Sequence, residues 1–319
     1  MPDAPASSTP RLDPTAAYDR SPAPTRPASL LSGFRAPDRG IVQWWTMATL
    51  VANTVIILTG GLVRLTGSGL GCPTWPRCTD NSFVPHAELG VHGIIEFGNR
   101  MLTYVLIAVV IATVVVVWRW AGTIRSLRWH AGLIAAGVPF QGVIGGISVL
   151  TELNPWVVGL HLVFSMVLVS ACTWLVLRVR PPDAAQASAR ARGLAVAAYA
   201  LSWVVVYLGT IVTGSGPHAG DANAPRNGLD PAVMSHVHAS GVYLLIAVTL
   251  VAVLAARGTT FFRIAVVLLV VELAQGLIGF VQYYTGLPVV LVAAHLVGAA
   301  VLVAAATRLL IRSRSPQPA

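Results

Sequence analysis

The stretch 91–104, VHGIIEFGNRMLTY, places polar and ionisable side chains inside a long apolar segment. It carries Glu96, Asn99 and Arg100, with His92 one turn earlier. Ionisable groups at membrane depth are costly unless they are paired or functional. Glu96 and Arg100 have the spacing and order of an intrahelical ion pair, whereas a carboxylate in an apolar pocket also suits proton transfer. Both interpretations stay open, and the second makes Glu96 the candidate catalytic group.

Three histidines in later apolar segments have matching positions. His161, His238 and His295 each follow, by six or seven residues, a proline that we expect to begin a helix: Pro155, Pro231 and Pro288. At 1.5 Å per residue, all three lie about 10 Å below one membrane surface. Neutral imidazole is a common ligand of haem iron, and bundles build cofactor sites from facing helices. The alternative is that each histidine only forms hydrogen bonds between helices.

The composition identifies the elements that must position these side chains. The 319 residues are 55% hydrophobic and 10% charged, with a mean hydropathy of +0.72, whereas a soluble domain has about 25% charge. Repeated apolar runs of about 20 residues indicate helices that cross the lipid bilayer. The net charge of +9 does not indicate a nucleic-acid partner, because the arginines are dispersed over loops and tails.

Eight membrane spans follow a tail that we expect to be disordered over residues 1–40. The tail is rich in proline, alanine, serine and arginine. The spans cover approximately 43–64, 89–118, 130–150, 157–178, 194–213, 233–256, 262–283 and 290–311. All but four of the 21 basic residues, which are all arginines, lie in the tails and in the breaks after spans 2, 4 and 6. The positive-inside rule then predicts that both termini are cytoplasmic.

An internal repeat predicts the architecture. The hexapeptide FQGVIG at 140–145 returns as AQGLIG at 274–279, and GLHL at 159–162 returns as AAHL at 293–296, both with an offset of 134 residues. TGSG at 66–69 returns as TGSG at 213–216, and both copies are predicted to be turns. Two pseudo-symmetric four-helix bundles therefore follow, over 41–180 and 181–312, with a short cytoplasmic tail over 313–319.

The repeat also compares the second helices of the two bundles. Asn99 occupies the position of His238, so the first bundle offers Asn99 with His161 where the second offers His238 with His295. His92 is a competing partner for His161, because it follows a proline by seven residues, as the other candidates do. We take Asn99 as the equivalent position and keep His92 as an alternative ligand.

Other histidines and the cysteines have weaker signals. Cys72 and Cys78 lie in one outward loop, where a disulfide is permitted and, if exposed, is often redox-active. Cys172 is predicted to be a small buried hydrophobic residue. His236 points away from the His238 face and is expected to pack. The remaining histidines lie in or beside loops and are predicted to be solvated: His86, His130 and His218.

The combination of these motifs resembles the haem A synthase family of integral membrane proteins. It is carried by the loop TGSGLGCPTWPRC, the span 2 motif IIEFGNR, and His161, His238 and His295, and it covers about residues 43–311. The resemblance implies haem b held by His238 and His295 in the second bundle. It implies haem O as substrate in the first bundle, where a ring methyl is oxidised to a formyl group for terminal oxidase assembly.

The resemblance also assigns roles to the first bundle. Glu96 matches the essential glutamate of the family, and Cys72 with Cys78 matches its outer-loop pair, which is linked to electron or haem handling. Arg100 is either the ion-pair partner of Glu96 or a partner of a haem propionate. Many members have a histidine at the position of Asn99, so the substrate haem is held by His161 alone, by His161 with His92, or more loosely.

Three classes of function compete on this sequence. The leading one is a haem A synthase of the bacterial plasma membrane, partnered by haem O, haem O synthase and an unidentified electron donor, with a homo-oligomer left open. A di-haem b-type cytochrome explains the repeated histidines but not Glu96. A repeat-built transporter is expected to have midplane sites on broken helices, which these spans do not suggest.

Overall fold

Eight long helices make up the computed structural model, which describes residues 36–181 and 187–314. No β-strand occurs in these two ranges, apart from an isolated bridge between Thr79 and Ser82. The helices are α1 (Arg39–Leu65), α2 (Gly90–Arg119), α3 (Arg125–Leu150), α4 (Pro155–Val179), α5 (Ala189–Ser215), α6 (Pro231–Ala255), α7 (Phe262–Tyr284) and α8 (Val289–Ser313). Each is long and apolar enough to cross a membrane. The prediction of eight helical spans is confirmed.

The helix starts are set by caps and prolines. Asp38, Asn154, Ser188 and Asp230 accept hydrogen bonds from backbone N–H groups in the first turns of α1, α4, α5 and α6, which satisfies donors that lack partners at a helix start. Pro155 and Pro231 occupy the first helical positions, and Pro288 is the N-cap of α8. The predicted proline starts of these three helices are confirmed.

Several boundaries differ from the sequence predictions, and α3 and α5 each begin five residues earlier than predicted, at Arg125 and Ala189. The helix α1 begins at Arg39, so the last two residues of the predicted tail are helical, while residues 1–35 and the end of the second tail, 315–319, lie outside the described ranges. The helix α2 begins at Gly90, because Ala87–Leu89 forms a separate 3-10 turn after Pro85. Thr213–Ser215 closes α5 instead of forming a turn, so the second TGSG prediction is wrong.

The helices form two closed rings of four. In the first ring α1 contacts α2 and α4, and α3 contacts both of those helices, while α5 to α8 contact one another in the same pattern. The rings meet where α4 contacts α5 and α8, and where α1 contacts α8. An apolar cluster at this junction includes Ile57, Met166, Val206 and Ala300, one from each of the four helices.

The apolar core of each ring fills mainly one half of its length. The long connections 66–89 and 216–230 lie at one end of the helices, which we call the long-loop end. In the first ring the core lies toward the opposite end and includes Val117, Leu127 and Leu175. In the second ring it includes Phe261 and Leu309, also toward that end. The candidate histidines lie in the other half, near the long loops.

Candidate functional site

His238 on α6 and His295 on α8 face each other inside the second ring. Their ring centroids are 6.5 Å apart and their planes are inclined by 76°. A Cβ added to Gly209 on α5 would lie 3.3 Å from His238 Cε1, and one added to Gly279 on α7 would lie 3.6 Å from His295 Cε1. Each imidazole is therefore backed by a glycine of the neighbouring helix, which leaves room for the ring.

The first ring repeats this arrangement at its own candidate positions. A Cβ on Gly145 of α3 would lie 3.3 Å from His161 Cε1, and one on Gly60 of α1 would lie 3.9 Å from Asn99 Nδ2. All four positions that the repeat singles out thus pack against a glycine on the preceding helix. The matched packing supports Asn99, and not His92, as the counterpart of His238.

The hydrogen bonds of the histidines fall into two groups. The Nδ1 atoms of His161, His238 and His295 are buried without a hydrogen-bond partner, whereas most buried polar groups have one. Three other histidines bond to a different element of the fold: His92 to Ser68, His130 to the Ala171 carbonyl and His218 to the Leu287 carbonyl. At Nδ1 the three candidates therefore lack the hydrogen bond expected of a histidine that only links helices, although His238 also has a backbone contact with Val205 on α5.

The spacing of His238 and His295 fits an iron ion ligated by both rings. With metal–nitrogen bonds of about 2.0 Å and about 1.1 Å from each nitrogen to its ring centre, the two centroids would lie roughly 6.2 Å apart, close to the 6.5 Å observed. Across residues 36–181 and 187–314, no three His, Cys, Asp or Glu side chains cluster as a metal site. Two facing imidazoles suit the ligand pair of a haem protein better than the four ligands of a tetrahedral metal site.

Asn99 is held by the helix that precedes it. The Thr59 hydroxyl on α1 donates a 2.7 Å hydrogen bond to Asn99 Oδ1, and the side chain is half-buried. The structure also separates His92 from this position. His92 lies two residues after the start of α2, is exposed, and bonds through Nδ1 to the Ser68 hydroxyl at 2.9 Å. The proline spacing that made His92 a candidate fails because α2 does not begin at Pro85.

Glu96 and Arg100 form the predicted intrahelical ion pair and also hold the long loop. Glu96 is 5% exposed; its Oε1 accepts from Arg100, and its Oε2 accepts a 2.7 Å bond from the Cys72 backbone N–H. The Arg100 guanidinium donates to the carbonyls of Cys72, Thr74 and Arg77, each at 3.1 Å. The pair thus binds both sides of the loop backbone.

The loop closed by Cys72 and Cys78 lies against the first ring. The two cysteines form the predicted disulfide, and both are 0% exposed, so the bridge is buried within the folded loop. The indole of Trp75 covers Gly146 on α3, where an added Cβ would collide with it. Gly71 lies so close to the His92 carbonyl that only glycine fits. The loop is consequently part of the packed structure near His161.

The minor histidine predictions were only partly correct. His86 is exposed, as expected. His236 packs edge-on against Tyr283, with ring centroids 6.3 Å apart. His130 and His218 are not free in solvent: both are half-buried and bond to carbonyls, and the His130 ring lies 3.9 Å from the Trp174 ring. Both were misjudged because a position at the end of a span was equated with exposure. Cys172 is buried, as predicted.

Two functional candidates were missed in the sequence. Glu272 on α7 is 2% exposed; its Oε1 accepts a 2.8 Å bond from the Thr249 hydroxyl, while its Oε2 has no partner. It could have been found by the argument that identified Glu96, because it is also a carboxylate inside an apolar span. Thr59 carried no signal of its own, since a threonine in a membrane helix usually bonds to its own backbone.

The fold and the site together define a polytopic helical membrane protein with two imidazoles facing each other inside a helix bundle. Residues 43–307 match the model of the family COX15-CtaA, described as cytochrome oxidase assembly protein. The chain therefore belongs to this family, and the resemblance noted in the sequence is confirmed. Its membrane spans and its bacterial relatives identify it as a multi-pass plasma-membrane protein.

Individual relatives carry the same name across different bacteria. A haem A synthase of Allorhizobium ampelinum is 26% identical over 86% of this chain and 91% of its own length. One of Rhizobium johnstonii is 26% identical over 88% of this chain and 92% of its own length. One of Lysinibacillus sphaericus is 30% identical, but over 54% of this chain and only 57% of its own length.

Proposed function

We propose that this protein is a haem A synthase, which oxidises a ring methyl of haem O to a formyl group and so supplies haem A for cytochrome oxidase assembly. The observation that carries the proposal is the set of three glycine-backed histidines with buried, unpartnered Nδ1 atoms. Family membership and relatives named haem A synthase support the same function. The di-haem cytochrome without synthase activity is not favoured by them.

In the second bundle, His238 and His295 would hold a resident haem b. When bound, this haem would supply one-electron transfer. The residues themselves hold the two imidazoles 6.5 Å apart between α6 and α8, and Gly209 and Gly279 set the closeness of the neighbouring helices. A ligand pair fixed by packing on both sides suits electron transfer, because it needs little rearrangement between redox states.

In the first bundle, His161 is the proposed ligand of the substrate haem O. Its ring packs on Gly145, beside the Gly146 that Trp75 covers. The disulfide loop therefore closes the first bundle near this histidine and restricts the access of water to the substrate. A site with one firmly placed imidazole also suits a haem that must leave as product.

Glu96 is the proposed catalytic carboxylate. Its Oε1 accepts a hydrogen bond from Arg100 and its Oε2 accepts one from the Cys72 N–H. Protonation of this carboxylate would therefore weaken the bonds that hold the loop. The N–H groups of Arg100 donate hydrogen bonds to Glu96 and to three backbone carbonyls. An additional contact from Arg100 to a haem propionate would therefore require the loop to release some of these bonds.

The proposed architecture is two pseudo-symmetric bundles, with both termini in the cytoplasm. The equivalent ring contacts and the four matched glycine contacts support the symmetry. The arginine distribution supports the orientation. The long-loop end, with the disulfide, then faces the oxidising side of the membrane. Haem O synthase is a proposed partner because it would supply the substrate, and an electron donor must also exist.

The test is pigment analysis after co-expression with a source of haem O. The wild-type protein should yield haem A in extracted pigment, whereas Glu96→Ala should yield little or none while retaining the absorption of bound haem. Glu88→Ala is the matched control, because Glu88 is an exposed carboxylate near the start of the same helix. Haem A at the wild-type level from Glu96→Ala would overturn the catalytic assignment, and no haem A from the wild type would favour the cytochrome.

A further inference from the structure

The pair formed by Thr59 and Asn99 occurs only in the first of the two bundles. Thr59 precedes Gly60, which backs Asn99, and its hydroxyl donates to Asn99 Oδ1 at 2.7 Å. In the second bundle, Leu208 precedes Gly209, which backs His238. Two positions therefore differ together between the bundles: leucine with histidine in one, and threonine with asparagine in the other.

The hydrogen bond decides which end of the Asn99 amide is free. An asparagine has one acceptor oxygen and an NH₂ group with two donors. The Thr59 hydroxyl lies 2.7 Å from Asn99 Oδ1 and 3.2 Å from the Ile56 carbonyl, so its shorter bond engages the amide oxygen. Within the described ranges Asn99 Nδ2 forms no hydrogen bond. Nδ2 also lies beside Gly60, just as the ring of His238 lies beside Gly209 in the second bundle. The free end of this amide is consequently a donor and not an acceptor.

Among the described residues, no other imidazole takes the place opposite His161. His92 is exposed near the end of α2 and bonds to Ser68, two turns away from Asn99 along the same helix. An amide NH₂ has no lone pair available for iron. The substrate haem is thus left with one imidazole ligand, in contrast to the pair formed by His238 and His295.

We propose that Thr59 and Asn99 form a hydrogen-bond donor site for a small ligand on the open face of the haem held by His161. The ligands that suit it are small molecules or anions with a lone pair, such as water, hydroxide, cyanide or azide. Asn99 is the residue that contacts the ligand, and Thr59 is a positioning residue that fixes the orientation of the amide. The inference rests on the proposed function, because it requires a haem in the first bundle.

Cyanide binding to the purified oxidised protein tests the proposal independently of catalysis. The wild-type protein should contain one low-spin haem that does not bind cyanide and one high-spin haem that does. Asn99→Leu keeps the side-chain size but removes the donor, and it should weaken cyanide binding by about threefold to tenfold, as expected for the loss of one hydrogen bond. Thr59→Val should weaken it in the same direction, because the amide is then free to rotate.

A matched control and a gain-of-ligand variant complete the design. Thr54→Val makes the same substitution on α1, where the hydroxyl bonds only to the Leu50 carbonyl, and should leave cyanide affinity unchanged. Asn99→His should convert the high-spin haem to low-spin and abolish cyanide binding. Two low-spin haems in the wild-type protein, or equal cyanide affinity in wild type, Asn99→Leu and Thr59→Val, would overturn the proposal.

Haem content separates this inference from the proposed function. If His161→Ala binds as much haem as the wild type, His161 does not hold the substrate and the proposed function fails at this site. If His161→Ala loses the high-spin haem but the Thr59 and Asn99 variants bind cyanide normally, the haem site stands and only the donor site is refuted.

Discussion

Arg100 holds the disulfide loop through three backbone carbonyls, and replacing it with leucine should expose the disulfide. Both cysteines are 0% exposed, so a thiol reagent reaches them only when the loop opens. The guanidinium donates to the carbonyls of Cys72, Thr74 and Arg77. We take about 1 kcal/mol for each of these bonds. This is below the range for fully buried charged groups, because the Arg100 side chain is 19% exposed. Arg100→Leu should therefore lower the free energy that holds the loop closed by roughly 3 kcal/mol.

From this change in the free energy of loop opening, we predict the rate at which the disulfide is reduced. Each 1.4 kcal/mol is a factor of ten, so the open loop should become about 100-fold more populated. When opening is fast compared with reduction, the rate follows this population. The measurement is the rate at which dithiothreitol reduces the bridge of the detergent-solubilised protein, followed by maleimide labelling and gel shift. The free cysteine, Cys172, is 1% exposed and adds little background.

Arg77→Leu is the control for the loss of an arginine from the same region. Its guanidinium donates to the Asp80 carbonyl and lies over Phe83, within the loop itself. Its removal should change the reduction rate by less than about threefold, because exposed contacts contribute little. A rate for Arg100→Leu that equals that of wild type would refute the idea that Arg100 holds the loop closed.

Two further predictions concern the second bundle. Gly209→Val should displace the ring of His238, since even a Cβ would lie 3.3 Å from Cε1, and the low-spin haem spectrum should be lost. Gly193→Val is the control on the same helix, because a Cβ there meets nothing within 4 Å, and this variant should retain the spectrum. An intact spectrum in both variants would contradict the packing argument. Glu272→Leu removes a buried oxygen without a partner and also the acceptor of the Thr249 hydroxyl. Because that hydroxyl can turn to a carbonyl of its own helix, the free energy of unfolding should rise by about 1 kcal/mol. Thermal unfolding of the solubilised protein measures this stability, and Glu272→Gln should unfold at about the same temperature as the wild type. A Glu272→Leu protein less stable than the wild type would indicate a role for the carboxylate that the structure does not explain.

The sequence was sufficient for the elements and for the candidate positions. Apolar runs are read directly as spans because lipid forces each backbone polar group to bond within its own helix. The repeat of His161 as His295 at a fixed offset predicts equivalent positions from the sequence alone. The contacts of Gly60 with Asn99 and of Gly209 with His238 support the equivalence of the two positions. In the sequence, this equivalence depended on the alignment of the two repeats alone.

The contacts of the long loop could not be predicted in the same way. Cys72 and Glu96 are 24 residues apart, and the bond between the Cys72 N–H and the Glu96 carboxylate depends on how the chain folds back. The burial of the disulfide depends on the same path, as does the position of Trp75 over Gly146. Such contacts follow from tertiary packing, for which hydropathy and spacing carry no signal.

The uneven distribution of the apolar cores has a consequence for backbone dynamics. Core residues such as Val117 and Phe261 lie toward the end away from the long loops, and local opening is easier where fewer apolar contacts must break. Amide hydrogens in those halves of the helices should exchange most slowly with solvent, and those around His161 and His295 faster. A bulky planar molecule could then enter or leave through a local opening at the long-loop end, while the rest of each bundle stays folded in the membrane.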